Sequence, residues 1–195
     1  MLYKIIYKIY NIFDDDQCDY ILKFCEEHGV HGQGNKIANE EYTKDLIIRQ
    51  SKIKWINSEK IYDLIKPAIL ECSHSSSWNV RLAKMEDLQF TRYDIGDKYD
   101  WHYDNSREVY PKNHPFEGLV RKISFTILLS DNFTGGEFEI ECGHPGENQN
   151  RIESVSKLKK GSILIFPSFL PHRVKPVISG TRHSLVGWCC GPQWS

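Results

Sequence analysis

From Asn79 onward the chain is a succession of short β-forming runs, each broken by a Gly- or Pro-bearing turn. The runs cover residues 79–84, 86–94, 121–130, 136–140, 162–166, 172–177 and 182–190, and the turns read GD, PKNHPFEG, TGG, KKG, PS and ISG. Short strands with tight connections pair with their neighbours in antiparallel fashion. So many of them bury their faces best by curling into a barrel or a double-layered jelly roll. The fold class expected from the pattern is therefore mainly β, a barrel or jelly roll.

The first part of the chain has a different texture. Residues 1–12 alternate and predict a leading strand. Asp14, Asp15 or Asp16 can cap a helix that runs to about His28, with Cys18, Ile21, Leu22 and Cys25 on one stripe. The stretch HGVHGQGNK predicts a loop, and LIIRQ at residues 46–50 an extended segment. Ser58 is placed to cap a second helix through Ile61, Leu64 and Ile65 to roughly Cys72, with Pro67 a candidate kink. SHSSSWN then predicts a surface turn. No repeat or linker divides the chain. The expectation is one domain, with helical support over residues 1–78 and a β core over 79–195.

Composition narrows the classes. The chain has 195 residues and a net charge of −1, which gives no electrostatic case for a nucleic-acid partner. No apolar run approaches the ~18 residues of a membrane span. The opening MLYKIIYKIYNIF is too interrupted by Lys and Tyr for a signal peptide. The six cysteines are scattered with no CxxC pair, which predicts reduced thiols and a cytoplasmic setting, or a host cytoplasm for a viral source. Cys189 and Cys190 point to opposite faces of a strand.

The segment YDWHYDNS carries the first chemistry. His102 and Asp104 are two apart, so on a strand both face one side and reach one point. His172, opening a strand after the Pro-bounded turn FPSFLP, is the candidate third ligand. Two imidazoles and a carboxylate leave open positions on an octahedral ion, as a non-haem Fe(II) oxygenase requires. A chance HxD is common, and a surface His beside a solvated Asp is the plain alternative. The second half of the pattern adds weight. Arg182, Ser184, Val186 and Trp188 in TRHSLVGW share one strand face. A guanidinium inside a barrel needs a carboxylate, which the far end of 2-oxoglutarate offers. A surface salt bridge is the competing reading of Arg182.

The runs EDLQFTRYDIGDKYDWHYDNS, GGE, GSILIFPSFLPHRV and TRHSLVGW resemble the prolyl 4-hydroxylase branch of the 2-oxoglutarate/Fe(II) dioxygenases, in the form of its compact phage- and bacteria-type members. The resemblance covers about residues 46–194 and implies a double-stranded β-helix, a cupin-like jelly roll, with supporting N-terminal helices. It implies a hydroxylase that consumes O2 and 2-oxoglutarate and yields succinate and CO2. It also implies Fe(II) on His102, Asp104 and His172, ascorbate as a further cofactor, and a peptide or protein substrate containing proline. Arg182, Ser184 and Tyr93 would hold 2-oxoglutarate. Arg49, Ser51, Glu86, Tyr99, Arg121 and Trp188 would meet the substrate.

The chain departs from that pattern. Arg182 stands where many prolyl 4-hydroxylases have Lys, Phe138 follows GGE, and Cys190 replaces a histidine carried by some members. These changes spare the chemistry and put peptidyl-proline specificity in question. Several alternatives stay open: Tyr93 and Tyr99 as barrel packing, Glu86 and Arg121 as a solvated pair, Trp188 as core, and residues 105–118 as a lid or a plain loop. His183, on the face opposite Arg182, is expected outside. The other functions weighed are the same chemistry on another residue or small molecule, nucleic-acid demethylation, a zinc hydrolase and a non-catalytic jelly-roll binding module. A monomer or weak dimer is expected.

Overall fold

The computed structural model describes residues 7–32, 36–37, 47–76, 78, 80–105, 109–142, 151–155 and 158–193. The first half contains β1 (Lys8–Asn11), α1 (Asp15–His28), β2 (Val30–Gly32), β3 (Lys36–Ile37), β4 (Ile47–Gln50), β5 (Lys52–Ile56), α2 (Glu59–Ser75) and β6 (Lys84–Met85). Then come β7 (Leu88–Tyr93), β8 (Lys98–His102), β9 (Leu119–Leu128), β10 (Phe133–Gly135), β11 (Phe138–Cys142) and β12 (Arg151–Ser154). The last elements are β13 (Ser162–Pro167), β14 (His172–Val174), β15 (Val177–Gly180) and β16 (Arg182–Pro192).

Helix α1 starts where the sequence predicts. Asp14 and Gln17 form a reciprocal capping box: the Gln17 amide donates to Asp14 Oδ1 at 2.8 Å, and the Asp14 amide donates to Gln17 Oε1 at 3.0 Å. Ser58 is the N-cap residue of α2, but its hydroxyl makes no capping bond. Pro67 does not end that helix. The helix runs on through Ser73, His74 and Ser75, so the expected turn SHSSSWN begins as helix. The predicted loop 28–36 carries the short strand β2 and the start of β3, because both find sheet edges to pair with. The expected strand 79–84 contracts to β6, and 172–177 splits into β14 and β15 around Lys175 and Pro176. The predicted leading strand lies at β1 in its described part; residues 1–6 are outside the described residues.

All strand pairs are antiparallel. The larger sheet has the order β1-β13-β9-β16-β7-β5-β2, with β6 also on β16; the smaller has the order β12-β11-β14-β8-β4-β3; β10 and β15 form a ribbon. Alternation along the central strands creates two faces. Leu88, Phe90, Ile123, Phe125, Ile127, Ile163, Ile165 and Leu185 turn outward and pack against Ile21, Cys25, Ile61, Ile65 and Ile69 of the two helices. Between the sheets, Leu164 and Phe166 pack against Phe138, Ile140 and Val174. Two curled sheets sharing an inner layer, braced by helices on one outer face, are the expected jelly roll.

The inner face of the larger sheet is not uniformly apolar. Gln89, Thr91, Ser124, Thr126, Arg182 and Ser184 are all buried there. Polar groups are expensive to bury without partners, so such a wall marks a cavity built for a polar ligand.

Candidate metal and cosubstrate site

Strands β8 and β14 are neighbours, and their register sets His172 directly opposite His102. The two ring centroids are 4.1 Å apart. Asp104 lies two residues beyond His102, past the end of β8, in a bend rather than on the strand. Its place is fixed by the turn after β13, because the amides of Asp104 and Asn105 both donate to the Ser168 carbonyl, at 3.1 and 3.0 Å. Asp104 does meet the two imidazoles, but a loop-to-turn clamp rather than strand alternation positions it. Asp104 Oδ2 is 3.4 Å from His172 Nε2, and Oδ1 is 3.8 Å from His102 Nε2. One potential ligand atom from each of the three lies within 4.8 Å of the others.

The imidazoles are oriented for metal binding. His102 Nδ1 is 2.8 Å from the Asp100 carbonyl, and His172 Nδ1 is 2.9 Å from that of Leu170. A carbonyl can only accept, so each Nδ1 carries the proton and each Nε2 lone pair faces the shared point. Burial, then the neighbouring His172, pushes the His102 pKa down to about 3, which keeps that ring neutral. Burial alone would raise the Asp104 pKa, but His172, His102, Arg121 and the Ser124 hydroxyl hold it below the usual carboxylate range. Neutral imidazole nitrogens and an ionised carboxylate are the donor set a divalent transition metal takes.

A bulge shapes this corner. Strand β8 has one residue more than β14 between the pairs His172–His102 and Val174–Tyr99. Tyr99 and His102 therefore both turn inward and stack, with centroids 3.5 Å apart and planes 8° from parallel. Tyr99 buttresses a ligand.

The three side chains line a cavity of about 450 Å³ that Arg182 lines as well. Arg182 is 1% exposed. Its Nη1 donates to Ser184 Oγ at 3.0 Å, and its guanidinium lies 5.6 Å from the centre of the Tyr93 ring. Nε has no hydrogen-bond partner, and among the described residues no carboxylate pairs with the group. Burial pushes its pKa down, the cost of a charge held without a counter-ion. The surface salt bridge considered for Arg182 is therefore ruled out. Gly136, of the GGE run, gives the guanidinium its space. Its φ is +62°, and a Cβ there would lie 2.9 Å from Arg182 Cδ.

The substrate-side expectations divide. Arg49, Tyr99, Arg121 and Trp188 line the cavity. Arg49 is buried, donates from Nε to Ser51 Oγ at 2.9 Å and bonds Gln89; its guanidinium is 4.8 Å from the Tyr99 ring centre. It is part of the cavity wall. Ser51 supports Arg49 and does not line the cavity itself. Glu86 and Arg121 are no solvated pair. Glu86 is 8% exposed, and Arg121 grips it with Nε at 2.7 Å and Nη2 at 2.5 Å. The Arg121 guanidinium carbon lies 3.9 Å from the centre of the Trp188 ring. Glu86 stands outside the metal cavity, in a second one beside it. His183 does lie opposite Arg182, but half-buried against Phe90 at 5.8 Å rather than outside.

Sequence reasoning passed over Gln89, Thr91 and Thr126 in the wall and Trp55 between the two cavities. Their signal was available: Gln89 and Thr91 in LQFTRY and Ser124 and Thr126 in ISFTIL alternate with large apolar residues, although both runs are buried throughout or nearly so.

A jelly roll with an inward-facing His-x-Asp and His trio, and an unpaired arginine across the same cavity, defines a class of mononuclear metal oxygenases by its architecture. The family model described as "2OG-Fe(II) oxygenase superfamily" matches residues 88–190, just over half of the chain, and the chain belongs to that superfamily. Relatives include the PKHD-type hydroxylase of Gloeothece citriformis, 36% identical over 117 residues, 56% of this chain and 44% of the relative. The PKHD-type hydroxylase of Hyphomonas neptunium is 42% identical over 96 residues, 48% of this chain and 38% of the relative. The chain thus spans less than half the length of these relatives. Among solved structures, the viral collagen prolyl hydroxylase of Paramecium Bursaria Chlorella virus-1 superposes with a TM-score of 0.63 at 19% identity, covering 96% of this chain and 97% of that one. A prolyl hydroxylase of Trichoplax adhaerens, solved with a hypoxia inducible factor peptide, gives 0.66 at 20% identity, covering 94% and 83%. At these identities the likeness is one of fold.

Proposed function

We propose that this chain is a 2-oxoglutarate- and O2-dependent hydroxylase acting on a peptidyl substrate, proline first. His102, Asp104 and His172 would hold Fe(II), and Arg182 with Ser184 and Tyr93 would hold the far carboxylate of 2-oxoglutarate. The observation that carries the reading is the buried Arg182, without a carboxylate partner among the described residues, lining the same cavity as the trio. A buried guanidinium without an acid is costly in an isolated protein and is neutralised when a carboxylate enters. Iron with 2-oxoglutarate and dioxygen supplies oxidative decarboxylation to succinate and CO2, coupled to placing one oxygen atom in a C–H bond.

This chain's own residues bind, orient and exclude water. The Nδ1 bonds of both imidazoles fix Nε2 toward the metal. Phe138 and Phe166 pack against the His172 ring at 5.4 and 4.8 Å and keep water from that side. Arg121, Trp188, Arg49 and Tyr99, which line the same cavity, would meet the substrate. The peptide is favoured by the solved neighbours named as prolyl hydroxylases, one of them holding a peptide.

The test is mass spectrometry of proline-rich peptides incubated with protein, Fe(II), 2-oxoglutarate and O2, with and without ascorbate. Expected are a gain of one oxygen and stoichiometric succinate, both lost in Asp104→Ala. Turnover of 2-oxoglutarate with every such peptide left unchanged would remove proline as the substrate and leave the class. Absence of both turnover and Mn(II) binding would overturn the reading.

A further inference from the structure

A second cavity of about 370 Å³ adjoins the metal site, and Trp55 lines both. Its walls are Trp55, Tyr110, His114, Pro115 and Phe116, with the carboxylates of Glu86 and Asp87. Trp55 comes from β5, where it pairs with Gln89, and its ring lies 6.2 Å from Trp188. The other rings come from residues 109–118 and are already ordered on one another. Tyr110 stacks on His114 at 4.5 Å with planes 7° apart, and Phe116 lies 5.6 Å from Tyr110. The Tyr110 hydroxyl donates to Glu86 Oε1 at 2.6 Å, and the backbone closes twice between Tyr110 and the segment Gly118–Leu119. The box is built before any ligand arrives.

Its charge is one-sided. Glu86 is committed to Arg121, Tyr110 and Cys190. Asp87 accepts from Asn57 Nδ2 at 2.8 Å and has no cationic partner among the described residues. No Lys or Arg lines the cavity. Aromatic faces carry negative potential and attract ammonium or guanidinium groups, most strongly where a carboxylate stands at the rim. Lys84 Nζ, which does not line the cavity, donates to the Pro115 carbonyl at 2.6 Å and sits 5.7 Å from the Phe116 ring centre.

We infer that this cavity is a specificity subsite for a basic side chain, Lys or Arg, of the substrate segment that flanks the reacting residue. The inference rests on the reading of a peptidyl substrate, and the shared Trp55 wall makes the two cavities stations along one bound chain. A substrate with a basic residue near the hydroxylated one is favoured over a wholly neutral repeat.

The test reads binding, not turnover. N-acetyl-lysine methylamide is titrated into the 15N-labelled protein while the indole N–H signals, assigned from single Trp→Phe variants, are followed by NMR. N-acetyl-norleucine methylamide serves as the neutral control. The expected result is a saturable shift of the Trp55 signal with the lysine probe, weakened by salt, at least fivefold weaker in Asp87→Asn and lost in Phe116→Ala. The Trp188 signal should stay in place. Equal shifts with the norleucine probe, movement of Trp188 instead of Trp55, an undiminished response in Asp87→Asn, or no saturable shift would each overturn the subsite. Neither iron nor 2-oxoglutarate is needed, so this failure leaves the oxygenase reading intact. A protein without turnover that still shows the Trp55 shift would separate the two in the other direction.

Discussion

At the scale of single residues, the site is defined by which polar atoms have partners. His102 and His172 donate hydrogen bonds from Nδ1–H to carbonyls and turn Nε2 toward Asp104, while Arg182 Nε has no partner and, among the described residues, the guanidinium has no acid. His172→Ala removes one of three donors, and calorimetry with Mn(II) should show binding abolished. Arg182→Ala should leave Mn(II) binding unchanged and weaken 2-oxoglutarate. Charge-assisted hydrogen bonds contribute about 1.5–3 kcal/mol, so the concentration for half-saturation should rise roughly 10- to 150-fold. An unchanged 2-oxoglutarate affinity in that variant would contradict the assignment. The sequence exposed these residues because their spacing is local: His102 and Asp104 two apart, Arg182 and Ser184 two apart. It did not expose Asn105 or Ser168, whose backbone bond clamps the Asp104 loop, because a main-chain contact leaves no trace in residue type.

At the scale of elements, two bulges decide which way key side chains point. Strand β9 has one residue more than β16 between the pairs Ile123–Cys189 and Arg121–Cys190, so Arg121 leaves the helix-facing row of Ile123 and Phe125 and enters the cavity. A strict period of two would have put it on the wrong side. Once there, its partner Glu86 is obligatory. Removing one member of a buried pair is more damaging than removing both. Glu86→Ala should cost roughly 3 kcal/mol, and Glu86→Ala with Arg121→Leu should recover part of it, read by urea unfolding. Burial opposes ionisation of Glu86, but Arg121, Tyr110 and Cys190 outweigh it and the carboxyl pKa is lowered. A depressed carboxylate stabilises the fold above the unfolded-state pKa and loses that contribution as pH falls through the folded value. The stability gap between the wild type and Glu86→Gln should therefore narrow from about pH 7 to about pH 3. A gap that stays constant over that range would refute the linkage.

At the scale of the whole molecule, stability and chemistry occupy opposite faces of the larger sheet. The helices cover the outer face with Ile21, Ile61, Ile65 and Ile69 against Phe90, Phe125 and Leu185, while the inner face holds the site. Ile65 is fully buried on the helix side. Ile65→Ala should destabilise by about 2–5 kcal/mol, seen as a lower Tm, with Mn(II) affinity within twofold of the wild type. Loss of metal binding in a protein still folded at the assay temperature would show the two faces to be coupled.

Much of this protein was legible in the order of its residues. The turn residues and alternating runs beyond Asn79 predict a curled antiparallel β fold. Asp14 and the stripe from Cys18 to Cys25 predict the first helix, and the spacings around His102, His172 and Arg182 predict the ligand set. These signals are local, since capping, alternation and turn formation act over a few residues. Tertiary structure alone decided the rest. It set His172 opposite His102, turned Arg121 inward at a bulge, drew Glu86 and Tyr110 together, and joined Trp55 to both cavities. Such contacts depend on strand register and on single inserted residues. A shift of one position reverses a side chain's face without changing the hydrophobic pattern that encodes the strand.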